Sequence, residues 1–100
     1  VAIPMLAPYA DYNAAVAYIG KDRNLSALQI LEPMERTAPV NYLLAILYSR
    51  TGEVQKAVEC YMRSVEQEPS YRHRGNLDPE ISILIKNYGL FKEEEEIIYW

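Results

Sequence analysis

The two side chains best suited to nucleophilic chemistry, a cysteine and a histidine, each occur once, as Cys60 and His73. A cysteine nucleophile needs its thiolate, made by a neighbouring base or an electropositive setting. Cys60 lies beside Tyr61 in a helical stretch with no histidine at helical spacing, and His73 stands between Arg72 and Arg74 in a segment that reads as a loop. The two residues therefore form no nucleophile and base. Arg72-His73-Arg74 has the charge to hold a phosphate, but basic residues after a helix also suit its negative C-terminal end, and that role suffices. The four glutamates at 93–96 offer carboxylates to a partner or, at a helix start, complement the dipole, and the second role is the commoner. No glycine-rich phosphate loop, HExxH motif or paired CxxC is present, so the sequence implies no catalytic residue, no metal and no cofactor.

Charge and composition narrow the partners. Fourteen acidic and ten basic side chains leave a formal charge of -4, which gives no attraction to nucleic acid or to an anionic membrane surface. No run of about 18 apolar residues is available to span a bilayer. One cysteine cannot close an intramolecular disulfide, which fits a reducing compartment, cytoplasmic or nuclear. With 100 residues, half of them apolar, the chain can bury one modest core. Its apolar ends suggest a piece of a larger array, because independent domains usually taper into polar tails. Nine tyrosines suit surfaces where a ring packs on a partner while its hydroxyl stays wet.

Helical hairpins must position these residues. From Ala38 to Arg50, Leu43, Leu44, Leu47 and Tyr48 recur at three- and four-residue spacing, with Thr37 to cap and Pro39 in the first turn. Thr51-Gly52 breaks this helix, and a second apolar face follows through Val54, Ala57, Val58, Tyr61, Met62 and Val65 before Pro69. Ala45 against Ala57 lets the two backbones approach. Upstream, Ala14, Ala15 and Tyr18 repeat the order of Leu44, Ala45 and Tyr48, and after a turn at 20–24 a short return helix holds Ala27 and Leu31 until Pro33 stops it. Downstream, Asp78-Pro79-Glu80 starts a helix through Ile81, Leu84 and Ile85 that ends at Tyr88-Gly89, and a further helix is expected from Phe91.

This repetition resembles the tetratricopeptide repeat, whose period is about 34 residues. The likeness is carried by Leu44, Ala45, Tyr48, Gly52, Ala57, Tyr61, Ser64 and Pro69 in the central unit, with Asn41 in place of the customary tryptophan. Ala15 to Ala45 is thirty residues and Gly52 to Gly89 thirty-seven, so the first interval is short and the second long, the excess being assigned to a loop over 71–77. The resemblance implies an all-α, tetratricopeptide-like stack of helical hairpins, a right-handed α-solenoid fragment with units near 8–37, 38–71 and 75–100. Residues 1–7 would then end a preceding element. In the third unit Glu94 occupies the site where the family packs alanine. The stretch from Ala27 to Ala45 is also similar to the N-terminal repeats of the tetratricopeptide scaffold subunits of the anaphase-promoting complex, which implies a homodimer.

In that family the first helix of each unit faces a concave groove. Carried onto this chain, the face is Tyr9, Tyr12, Val16 and Ile19, then Pro39, Tyr42, Ile46, Ser49 and Arg50, then Asn76, Ile83, Lys86 and Asn87. The resemblance implies a protein-binding scaffold whose groove takes a peptide or helix of a partner, with Arg50 and Lys86 open to an acidic group. The alternative is an assembly module, in which the same tyrosines pack on a second copy or on the next unit of a longer superhelix. Members that clamp a C-terminal carboxylate spread lysine, asparagine and arginine over three first helices; Tyr12 and Val16 stand at those places here, so no such clamp is implied.

Overall fold

A computed structural model describes the backbone of residues 3–91 and the side chains of residues 10–91. It contains six helices in the order α1 (Ile3–Gly20), α2 (Asn24–Leu31), α3 (Ala38–Arg50), α4 (Val54–Gln67), α5 (Ser70–Leu77) and α6 (Pro79–Asn87), with no strand among the described residues. The fold is all-α, built from packed helical hairpins. α1 includes residues 3–7, the stretch assigned above to a preceding element. The helix expected from Phe91, with Glu93–Glu96 and Glu94, lies outside the described residues.

Local chemistry accounts for the ends of these helices. The Thr37 hydroxyl accepts from the Val40 amide at 3.5 Å, and Pro39 occupies the first turn of α3. Asp78 caps α6 by accepting from the Glu80 and Ile81 amides at 2.9 and 3.3 Å. α2 ends at Leu31 ahead of Pro33, as its sequence requires, and the Leu31 carbonyl there accepts from the Met34 amide (3.0 Å) and from the Arg36 guanidinium (3.1 Å). Asn41, standing where the family carries tryptophan, is buried. Its amide donates to the Arg36 carbonyl and to Gln67 Oε1 (3.3 and 2.9 Å), tying the start of α3 to the end of α4.

Three matching turns show the repetition directly. The amides of Arg23, Glu53 and Leu90 reach back five residues to the carbonyls of Tyr18, Tyr48 and Ile85, at 2.8, 2.8 and 3.0 Å. Just before each amide sits a residue in the left-handed region: Asp22, Gly52 and Gly89, with φ of 61°, 86° and 62°. This is the helix-ending turn that glycine accepts at low cost and aspartate tolerates. It puts Val16, Ile46 and Ile83 at equivalent positions on the first helices α1, α3 and α6. α3 is the central element, packed against α1, α2, α4 and α6.

The segment 71–77, expected as a loop, is helical. α5 packs on α4 and α6, and its Tyr71 and Gly75 are buried. Gly75 explains the close approach: a Cβ there would collide with the Tyr61 hydroxyl and lie within 2.7 Å of Tyr61 Cζ. The polar, glycine-containing stretch has little helical propensity of its own, and packing decides it. The three residues by which the second interval exceeds the usual period thus fall in a segment that contains an extra helix, α5.

The core is made of small and aromatic residues in register. Ala15, Ala27, Leu44, Ala45, Leu47, Ala57, Tyr61 and Ile81 are wholly or almost wholly removed from solvent. Burial, together with a hydrogen bond from the Tyr48 hydroxyl to Glu32 (2.7 Å), pushes the Tyr48 phenol up to about 12; burial alone pushes Tyr61 up to about 12. In the unfolded chain a tyrosine ionises near 10. Above that pH the unfolded state loses protons that the folded state keeps, so stability is complete below about pH 10 and falls as pH rises toward 12. Urea midpoints followed by circular dichroism from pH 8 to 11.5 should fall steeply at the alkaline end. Tyr48→Phe should flatten that fall, and an unchanged slope would assign it elsewhere.

Candidate protein-binding face

The residues expected on the first-helix face occupy two different environments. On α3, Tyr42 is 2% exposed and Ile46 6%, whereas Val16 on α1 and Ile83 on α6, at the positions equivalent to Ile46, are 43% and 59% exposed. Lys86 is exposed, and Tyr12, Ile19, Pro39 and Ser49 are half-buried. Asn76 and Asn87 are exposed, and the side chain of Tyr9 lies outside the described residues.

α5 covers Tyr42. The Tyr71 ring lies 5.1 Å from the Tyr42 ring at 44°, Tyr61 meets it nearly edge-on at 6.1 Å, and the Arg74 guanidinium sits 5.0 Å from its centroid. The Tyr42 hydroxyl donates to Asp78 Oδ2 at 2.9 Å. Burial and this bond to a carboxylate raise the Tyr42 pKa well above its ordinary value. Tyr12 is raised too, by burial first and by neighbouring Tyr71, against a lowering pull from Arg74. Tyr42, Tyr71 and Arg74 therefore share one corner of the molecule.

Arg50, expected to meet an acidic ligand, is taken up within the chain. Its Nε and Nη2 donate to the two oxygens of Glu80 at 2.7 and 2.9 Å, and Nη1 donates to the Ile19 carbonyl and Asn24 Oδ1, both at 3.0 Å. Asp22 lies 3.7 Å away. The hydrogen bonds to Glu80 hold the guanidinium above its ordinary pKa. One side chain thus joins the end of α1, the start of α2, the end of α3 and the start of α6. A planar fork on a carboxylate is the geometry arginine supplies and lysine does not. Because both partners are partly exposed, solvent screening limits the worth of the pair to about 1 kcal/mol. A double-mutant cycle with Arg50→Gln and Glu80→Gln, read by urea unfolding, should return a coupling of that size. A coupling of zero would make the contact incidental.

The remaining chemistry-bearing side chains stand apart. Burial pushes the Cys60 thiol up, away from the thiolate a nucleophile needs. His73 is exposed on α5. Among the described residues no group of three or more histidine, cysteine or acidic side chains could hold a metal ion, and no helix is long and apolar enough to cross a membrane.

Sequence reasoning missed Glu80 as the partner of Arg50, and Arg74 as a residue on the tyrosine corner. Glu80 could have been suspected from its first-turn position opposite the end of α3. Arg74 left no signal once its segment was read as a loop.

No curated protein and no solved structure matches the chain. Residues 38–71, which span α3, the Gly52 turn, α4 and the first residues of α5, match the family model of the tetratricopeptide repeat, so the central hairpin is similar to a module that generally mediates protein–protein interaction and scaffolding.

Proposed function

We propose that this chain is a protein–protein interaction scaffold that engages a peptide or helix of a partner on the face shared by α1 and α6. The observation that carries this reading is the exposure of Val16 and Ile83 at repeat-equivalent positions, while Ile46, the third member of the set, is covered. Apolar side chains held in open positions by a rigid array suit a partner that brings its own apolar residues. Lys86, exposed one turn beyond Ile83 on α6, adds a cation.

The second reading is assembly, with a second copy as the partner. It is supported by Leu25, Leu77 and Tyr88, which are large, apolar and exposed outside the first-helix face, and by the likeness of 27–45 to scaffold repeats that dimerise. Photo-cross-linkers at Val16 and Ile83, with one at exposed Glu66 as control, test the proposal. The scaffold reading expects a different protein captured at the first two positions only, and lost with Val16→Asp and Ile83→Asp. Capture of a second copy at those positions, with sedimentation showing a concentration-dependent dimer, would favour assembly. Equal capture at all three positions would sink both.

A further inference from the structure

α5 is the basic helix of an acidic chain: Arg72, His73 and Arg74 stand together, and it contains no acidic residue. Arg72 packs its guanidinium on the Phe91 ring at 4.5 Å. Arg74 is placed differently. Its side chain is exposed, yet its guanidinium is laid over two buried rings, Tyr42 at 5.0 Å and Tyr71 at 5.4 Å. A stacked guanidinium is held in one orientation with its edge donors free to point outward, so less side-chain entropy is lost when those donors find an acceptor.

No acceptor takes them among the described residues. Arg50 and Arg36 both donate to carboxylates or carbonyls, whereas among the described residues Arg74 makes only its ring contacts. The nearby carboxylate is already engaged: Asp78 Oδ2 accepts from Tyr42, and Oδ1 accepts from the two amides at the start of α6. Tyr42 belongs to the first-helix register on α3, so the guanidinium stacked on it stands beside the first-helix face.

We propose that Arg74, stacked on Tyr42 and Tyr71, is an anchor for a side-chain carboxylate of a partner protein's acidic segment. The guanidinium fork matches a carboxylate with two parallel hydrogen bonds, and charge complementarity selects an acidic rather than a basic partner. This inference rests on the reading of the chain as a protein-binding scaffold and specifies the chemistry of one contact.

The test uses a short peptide in which glutamate alternates with serine, acetylated and amidated so that its only carboxylates are side chains. It is titrated into the whole chain at low ionic strength. The arginine Nε–Hε resonance of Arg74 should shift on titration, and Arg74→Gln should weaken binding about tenfold or more, since a hydrogen-bonded ion pair is lost. Arg74→Lys should be intermediate, keeping the charge without the fork. The peptide with glutamine for glutamate should not bind. An unperturbed Arg74 resonance, equal binding of the glutamine peptide, or no effect of Arg74→Gln in a chain with unchanged helical circular dichroism would overturn the proposal. So would inorganic phosphate displacing the peptide at lower concentration than acetate, which would make the site one for phosphate. The cross-linking at Val16 and Ile83 does not depend on Arg74. If those positions capture a partner while the acidic peptide fails, the anchor falls and the scaffold stands; if the peptide binds and they capture nothing, the face chosen for the scaffold is wrong.

Discussion

Ala57→Arg should lower the melting temperature by more than about 15 °C, or prevent cooperative folding, while Cys60→Ser, one turn further along the same helix, should change it by only a few degrees. Ala57 is fully buried on α4, which packs along α3. Arginine there overfills the contact, at a cost of about 1–3 kcal/mol, and carries a guanidinium into a fully buried position, at a cost of several more. A chain of this size has a total stability of only about 5–15 kcal/mol, so the sum removes much or all of it. Cys60 is half-buried on the same helix, and serine replaces it nearly atom for atom. Melting curves by circular dichroism decide the matter, and equal midpoints would mean that the register of α4 against α3 is wrong.

Gly75→Ala should destabilise by about 1–3 kcal/mol, although alanine is the better helix former by about 1 kcal/mol. The added methyl meets the hydroxyl, Cζ and Cε1 of Tyr61, a ring that is wholly buried and cannot swing aside. Tyr61 is also held by its hydroxyl, which donates to the Tyr71 carbonyl at 3.3 Å. Gly20→Ala supplies the contrast, because a Cβ at Gly20 meets nothing within 4 Å; that substitution should be neutral or slightly stabilising. Opposite signs for one chemical change at two helical glycines would separate packing from propensity. In a Tyr61→Phe background the worst contact at Gly75 is gone, and the penalty of Gly75→Ala should shrink. A penalty of the same size in both backgrounds would place the strain somewhere other than Tyr61.

Much of the fold can be read from residue types because its helices end on local chemistry. Thr37, Pro39, Gly52, Pro33 and Asp78 act within a few residues of themselves through a cap, a missing amide or a left-handed turn, and each does so in the structure. The small residues Ala15, Ala45 and Ala57 mark where helices touch, since only a small side chain leaves room for another backbone. α5 escaped this kind of reading. Its residues prefer no helix strongly, and the decisive feature, the missing Cβ of Gly75 against the ring of Tyr61, joins positions that are far apart in the local pattern.

The candidate face divides along the same line. That Tyr12, Val16, Tyr42, Ile46 and Ile83 share the first-helix register follows from spacing alone, because the period of the helix and the position of the turns determine it. Which of them stay open depends on what packs over them. α5 buries Tyr42 and brings Arg74 over it, and Glu80 takes the guanidinium of Arg50. The covering of Tyr42 could not be read from position, since a side chain's freedom depends on its neighbours in space and those neighbours come from another helix. The sequence by itself determined that the chain is an all-α array of hairpins around a tetratricopeptide-like unit. Only the tertiary structure decided that Arg50 is taken up by Glu80 while Arg74 is laid over Tyr42 and Tyr71, because such pairings are settled by distances that arise when the helices pack.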